Sequence, residues 1–312
     1  MKLNTAFCHA GITGFLLGFA AAHAETNTPP FLRERVAGTI QRLAPIESKH
    51  VGSRYVDVWL PPSYFTVKGR KHRYPVLYVH DGQNVFDPAS SFIGVAWDID
   101  KTMTRLIAEK KVPEAIIVAI WNTPKRLSEY MPQKPLERVA ETDLDEMFKK
   151  VRREPLGDAY LRYLVTELKP AIDARYRTQP DHPHTSIMGS SMGGLISLYA
   201  ICEYPDVFGG AACLSTAWQV ANGAAVRHLK QQLPDPRTHK FYFDFGTGTN
   251  DGAIEPFQEQ ADQALKEAGY TDGVNWLTKR FPGEEHSERA WSKRVHIPLE
   301  FLLKPAGRDA RR

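Results

Sequence analysis

The stretch Thr185-Ser186-Ile187-Met188-Gly189-Ser190-Ser191-Met192-Gly193-Gly194-Leu195-Ile196-Ser197-Leu198-Tyr199-Ala200-Ile201 decides the fold. Its first four residues make a short, partly β-branched apolar run, the composition of a buried strand. From Gly194 onward the apolar residues are spaced to cover one face of a helix. Between them, Gly189-Ser190-Ser191-Met192-Gly193 has the Gly-x-Ser-x-Gly pattern of a nucleophile elbow, a sharp strand-to-helix turn with Ser191 at its apex. Such a turn strains the backbone of the middle serine at the carboxyl edge of a sheet, and a Cβ at Gly189 or Gly193 would clash in it. The five residues alone also fit a Gly/Ser turn without chemistry. The strand before them and the helix after them favour the elbow.

Working outward, strands are expected around Val36 to Leu43, Tyr55 to Leu60, Pro75 to His80 and Ala115 to Trp121, with a helix near Ile99 to Lys110. Asp158 to Tyr176 is expected to be helical, kinked at Pro170. Beyond the elbow, strands at Gly210 to Ser215, Phe241 to Phe245 and Asn275 to Phe281 each precede a helical segment. Repeated strand-helix units after two or three antiparallel-capable strands predict an α/β fold, one mainly parallel twisted sheet of about eight strands with helices on both faces. Functional groups in such a sheet sit on loops leaving the carboxyl ends of the strands.

The chain has 312 residues, 42% hydrophobic and 24% charged, with 40 basic and 36 acidic side chains for a formal charge of +4. That balance does not argue for a nucleic-acid partner. Lys2, the apolar run from about Ile12 to Ala22, and Ala22-His23-Ala24 before Glu25 read as a signal peptide over residues 1–24, implying export to the periplasm or medium. The run is short of the ~20 residues that span a bilayer, so no membrane span is expected after cleavage. Residues 25–35 read as an exposed leader, 36–303 as one domain with a lid-like insertion at 122–156, and 304–312 as a basic tail. Cys202 and Cys213 are expected as small buried apolar residues and not as a disulfide.

A serine hydroxyl becomes nucleophilic when a histidine takes its proton, and the histidine needs a carboxylate to fix its tautomer. The sheet-edge rule sorts the histidines. His182 and His184 precede the elbow strand and belong to the opposite edge; their spacing also fits a metal pair, but a solvated turn is the simpler reading. His296 reads as packing in a C-terminal helical region. His286, in Phe281-Pro282-Gly283-Glu284-Glu285-His286, leaves the last strand at its carboxyl end and is the expected base. The acid is expected between Ser191 and His286 in the chain. Asp251, on the loop after the Phe241 to Phe245 strand, is preferred; Asp244, inside that strand, competes with it. The oxyanion donors are expected to be the backbone N–H groups of Met192 and of Gln83, the latter in the loop His80-Asp81-Gly82-Gln83-Asn84. In that loop His80 and Asp81 are expected to hold the shape and Gly82 to allow close backbone approach.

With these residues assembled, the chain resembles the esterase D type esterase family of α/β-hydrolases, which includes feruloyl and acetylxylan esterases, S-formylglutathione hydrolases, enterochelin esterases and mycolyltransferases. The matching pieces run in the family's order: Leu77 to Asn84, Met188 to Gly194, Tyr204-Pro205-Asp206-Val207-Phe208-Gly209, Phe243 to Thr247, and Gly283 to His286 followed by Trp291. The resemblance implies the α/β-hydrolase fold, acyl-ester hydrolysis without cofactor or metal, and the roles given above for Ser191, Asp251, His286, Gln83 and Met192. The loop between Thr247 and Asp251 is drawn out by Gly248 and Thr249, which keeps Asp244 in contention.

The 122–156 segment, with Arg126, Tyr130, Lys134 and Arg138, reads as a polar wall of the site. Trp97, Tyr130 and Trp218, together with Trp121, are candidate substrate contacts, with partly buried packing as the competing role for the tryptophans. A basic wall with aromatics suits a polar, phenolic or sugar ester as the small-molecule or glycan partner. Acyl transfer to a sugar or alcohol, siderophore ester hydrolysis, and a catalytically silent carbohydrate- or siderophore-binding scaffold are the alternatives.

Overall fold

The computed structural model describes residues 36–144 and 146–304. The expected signal peptide, the 25–35 leader and all of the basic tail after Lys304 lie outside the described residues. Eight strands form one sheet in the order β1-β2-β4-β3-β5-β6-β7-β8: β1 Thr39–Leu43, β2 Val56–Leu60, β3 Val76–His80, β4 Ile116–Ile120, β5 Thr185–Ser190, β6 Gly210–Leu214, β7 Lys240–Gly246 and β8 Trp276–Phe281. Pairs β1/β2 and β2/β4 are antiparallel, and every pair from β4 to β8 is parallel. With helices on both faces, this is the α/β-hydrolase fold.

The strands form where the sequence is apolar on both faces. Val76-Leu77-Tyr78-Val79 and Ile116-Ile117-Val118-Ala119-Ile120 are fully buried, as central parallel strands must be when helices cover both sides. Because side chains alternate, Val76, Tyr78 and Val118 pack on the side of the elbow helix Met192–Glu203. Leu77, Val79 and Ile117 pack on the opposite side, with the helix Ile99–Ala108 and the C-terminal helix His296–Leu303. The edge strand β8 carries Lys279 and Arg280 exposed, charges that discourage pairing with another chain.

Two stretches depart from expectation. The 158–176 helix is broken by a π-helical turn at Leu164–Leu168, just ahead of Pro170, and regular helix resumes over Lys169–Arg175. Proline has no N–H to donate and its ring crowds the carbonyl four residues back, so a widened turn accommodates it. The 122–156 segment contains short helices at Arg126–Glu129, Gln133–Glu137 and Glu146–Arg153. It buries Tyr130, Met131, Leu136, Val139, Leu144 and Val151 into the core on the elbow side. Its dense charge masks that apolar stripe in the sequence.

Cys202 and Cys213 are free and buried, and burial pushes the Cys202 thiol well above its usual range. No helix among the described residues is long and apolar enough to cross a membrane. Phe241 stacks on Phe243, with ring centroids 6.0 Å apart, inside the elbow-side core. Phe241→Ala is expected to cost about 3–5 kcal/mol of unfolding free energy, read by urea denaturation.

Candidate active site

Strand register brings the named residues to one edge. Ser190 pairs with Leu214, Leu214 with Asp244, and Gly246 with Phe281, so the residues that follow β5, β6, β7 and β8 emerge side by side. Ser191 sits at φ 55°, ψ −119°, a conformation that costs a non-glycine residue about 1–3 kcal/mol. Its N–H donates to Leu214 O at 2.8 Å, and its carbonyl accepts from Leu195 at 3.1 Å and Ala217 at 3.2 Å. A Cβ on Gly189 would lie 2.6 Å from the Gly193 backbone, which is why the turn needs glycine there. A Cβ on Gly193 would face the β3 loop, 3.3 Å from Asp81 Oδ2 and 3.4 Å from His80 Cβ, a tight fit and not the outright clash expected there, so the steric demand for glycine falls on position 189.

Asp251 is fully buried and hydrogen-bonded to Nδ1 of His286, whose side chain keeps 23% of its surface exposed. The second Asp251 oxygen accepts from Ser215 Oγ at 2.7 Å and Gly246 N–H at 2.8 Å. Burial pushes the Asp251 pKa up, but the bonds from His286, Ser215 and Gly246 outweigh it and hold the carboxyl below its usual range. The His286 backbone N–H donates to Thr249 Oγ1 at 3.1 Å, and its ring meets Trp291 edge-on at 5.0 Å. No hydrogen bond joins Ser191 to His286 here; such bonds often close only once substrate is bound.

Asp244 is committed elsewhere. It accepts from Arg294 Nη2 at 2.9 Å and from the Tyr242 hydroxyl at 2.9 Å, and burial raises its pKa against the pull of Arg294. Arg294 also donates to Ser215 Oγ at 3.0 Å, as does Trp291 Nε1 at 3.0 Å. Ser215 thus accepts twice and spends its own proton on Asp251. Neither Ser215 nor Arg294 stands out in the sequence. The sheet-edge rule, extended from histidines and carboxylates to serines, would have flagged Ser215 at the end of β6.

The loop after β3 lies against the other side of the elbow. Asp81 adopts φ 56°, and Gly82 approaches β4 so closely that a Cβ would lie 2.6 Å from Ala119. Arg126 grips the Asp81 carboxylate with two bonds of 2.7 Å, and Asn122 Nδ2 adds a third at 2.6 Å. The Asn122 N–H donates to Gln83 Oε1 at 3.2 Å. The Tyr130 hydroxyl accepts from the Asp81 N–H at 3.2 Å. His80 is buried against the Tyr160 hydroxyl at 2.9 Å, and burial lowers its pKa to about 3, so it stays neutral. Glu288, nearly buried, accepts from Asn84 Nδ2 at 3.3 Å and has its pKa raised by burial.

Of the four candidate substrate contacts, Trp97, Tyr130 and Trp218 lie in the interior, and Trp121 is half-buried. Trp97 packs on Trp291 with centroids 5.8 Å apart. Trp218 donates to Gln258 at 2.8 Å beside Phe243, and Tyr130 supports Asp81. Packing and hydrogen bonding take up all three interior side chains. At the opposite edge, His184 pairs with Asp181 at 2.9 Å and His182 stacks on His239. No group of three or more potential metal ligands occurs among the described residues.

A family model described as "Putative esterase" matches residues 48–296. The uncharacterized protein YbbA of Bacillus subtilis (strain 168) is 27% identical over 264 residues, covering 82% of this chain and 95% of that protein. The endo-1,4-beta-xylanase/feruloyl esterase of Xylanibacter ruminicola is 26% identical over 249 residues, 80% of this chain but 29% of that longer protein. Among solved structures, a ferulic acid esterase superposes with a TM-score of 0.60 at 19% identity, covering 86% of this chain and 98% of that one. At such identity the likeness is one of fold.

The Arg126 grip generates a stability prediction. Arg126→Gln leaves the buried Asp81 carboxylate with Asn122 alone and is expected to cost about 2 kcal/mol, less than the several lost from a fully buried pair because Arg126 is partly solvated. Urea unfolding reads the cost, and faster amide exchange across residues 83–85 locates it.

Proposed function

Since the chain belongs to this esterase family, we propose that it is an exported serine carboxylic ester hydrolase working through an acyl-enzyme on polar, phenolic or sugar esters. The observation that carries the reading is the buried Asp251 carboxylate bonded to His286 on the same sheet edge as the strained Ser191 elbow. Ser191 Oγ attacks the ester carbonyl while His286 Nε2 takes its proton. Asp251 holds the Nδ1–H tautomer and stabilises the imidazolium that forms. The N–H groups of Met192 and Gln83 receive the oxyanion, and the Arg126, Asn122 and Tyr130 contacts to Asp81 keep the Gln83 loop in place for it. His286 then protonates the departing alcohol. Water, deprotonated by the same imidazole, releases the acid and restores the serine.

Related proteins include a feruloyl esterase and a ferulic acid esterase of the same fold, in keeping with a phenolic or sugar ester. Export rests on the amino-terminal pattern of Lys2, the apolar run and Ala22-His23-Ala24.

Purified protein is expected to hydrolyse p-nitrophenyl acetate, with Ser191→Ala losing activity by a factor on the order of 10⁴–10⁶. A fluorophosphonate should label the native protein at Ser191; labelling elsewhere, or none in folded protein, overturns the assignment. Asp251→Asn is expected to lower kcat by about 10⁴-fold, whereas Asp244→Asn, which loosens the Arg294 contact, should act mainly on stability. The larger fall in turnover identifies the acid. In cells making the full chain, amino-terminal sequencing of exported protein is expected to start at Glu25.

A further inference from the structure

A concavity opens on the active edge, away from His286. Strand β2 runs antiparallel beside β4, with Val56 opposite Ile120 and the Trp121 N–H bonded to Tyr55 O at 3.0 Å, so the connection that leads into β2 reaches the carboxyl end of β4. Residues 45–55 and 121–125 therefore stand at the carboxyl end of β4, two strand positions, or about 10 Å, from the strand that carries Ser191. They enclose a cleft of about 920 Å³, within the range of small-molecule sites. Asn122, in its lining, is the residue bonded to both Asp81 and Gln83. The cleft thus adjoins the proposed oxyanion loop directly.

The walls have a definite chemistry. Trp121 is fixed by an indole N–H bond to Asp57 at 2.8 Å and by the Arg42 guanidinium 4.6 Å from its ring centroid. Tyr55, 48% exposed, meets Trp121 edge-on at 5.5 Å. The charged lining is Lys49, Arg54 and Lys125 against the single carboxylate Glu129, plus His50. Glu129 is spent on the buried Arg54, with bonds of 2.7 and 2.9 Å, and on the Thr123 hydroxyl at 3.0 Å. Arg54 Nε is buried without a partner. Glu167, outside the lining, accepts the Lys49 backbone N–H at 3.0 Å and lies 4.0 Å from His50. Glu167 partly offsets the Lys49 ammonium, and Lys125 adds a further positive charge beside the aromatic edge.

We propose that this cleft is the acyl subsite and that it takes an acyl group ending in a ring that bears an anion, a carboxylate or a phosphate. The proposal rests on the serine hydrolase reading. The alcohol departs on the His286 side, where its oxygen is protonated, and the carbonyl oxygen turns to the Met192 and Gln83 N–H groups, so the acyl part leaves the reacting carbon away from His286, on the side where β3 and β4 stand and the cleft opens. There the ring lies against Tyr55 and Trp121, and its anion meets Lys49 and Lys125.

Matched p-nitrophenyl esters of 3-(4-carboxyphenyl)propanoic acid, of its neutral ring methyl ester and of the 4-phosphonooxy analogue test it. The anionic esters are expected to exceed the neutral one about tenfold in kcat/KM at low ionic strength, with the ratio shrinking as salt rises. The ratio should fall to about one in Lys49→Ala/Lys125→Ala. The carboxylate and phosphate arms decide which anion is preferred. Equal kcat/KM for neutral and anionic esters in the unaltered protein overturns the subsite. Binding of 3-(4-carboxyphenyl)propanoate to the Ser191→Ala protein, followed by calorimetry, needs no turnover. Binding that weakens severalfold in the added double-lysine variant supports the cleft even if hydrolysis fails, and absence of binding overturns it. Failure of p-nitrophenyl acetate turnover speaks against the hydrolase reading alone.

Discussion

Three strand ends donate hydrogen bonds to one buried carboxylate. Asp251 receives Ser215 from the end of β6, the Gly246 amide from the end of β7, and His286 from the loop beyond β8. A carboxylate removed from water is tolerated only when its lone pairs are met, so these partners must stay in register for the chain to fold. The order β5-β6-β7-β8 with unbroken parallel pairing sets that register, and it places the Ser191 elbow next to the same group of strand ends. The geometry around the imidazole is therefore a by-product of satisfying a buried charge.

A second carboxylate plays the corresponding part on the other flank of the elbow. Asp81 is held by Arg126, Asn122 and Tyr130 in a left-handed backbone conformation. Its contacts come from the segment after β4 and not from the sheet. Behind it lie a neutral His80 and the buried Arg54–Glu129 pair. Ser191 stands between two anchored carboxylates, one partnered by an imidazole that can release a proton and one by a guanidinium that cannot.

Much of this was legible in the sequence because the governing rules are local. The Gly189 and Gly193 spacing, the apolar runs and the sheet-edge rule needed no tertiary knowledge, and they singled out the Asp251 and His286 side chains that meet in the structure. The Ser215, Trp291 and Arg294 contacts depend on which strands are neighbours and on how the C-terminal helices fold back, which no spacing reveals. The same ignorance of packing made Trp97 and Trp218 look like walls when both are interior. The helices within 122–156 were hidden because charged residues dominate them while a thin stripe carries the burial. The Tyr55 and Trp121 cleft escaped because its two halves are more than sixty residues apart and meet only through antiparallel return of β2 beside β4.

The segment after β4 faces two ways at once: Asn122, Thr123 and Lys125 line the cleft, while Asn122, Arg126 and Tyr130 secure the Asp81 loop. That arrangement limits how specificity can diverge among relatives. Recombining the whole of 122–156 between homologues would exchange the brace of the Asp81 loop together with the wall of the cleft. Variation is freer at the exposed positions of residues 45–53, whereas Arg54 is tied to Glu129, the buried residues beyond Met131 to the core, and the stretch from Asn122 to Tyr130 to Asp81.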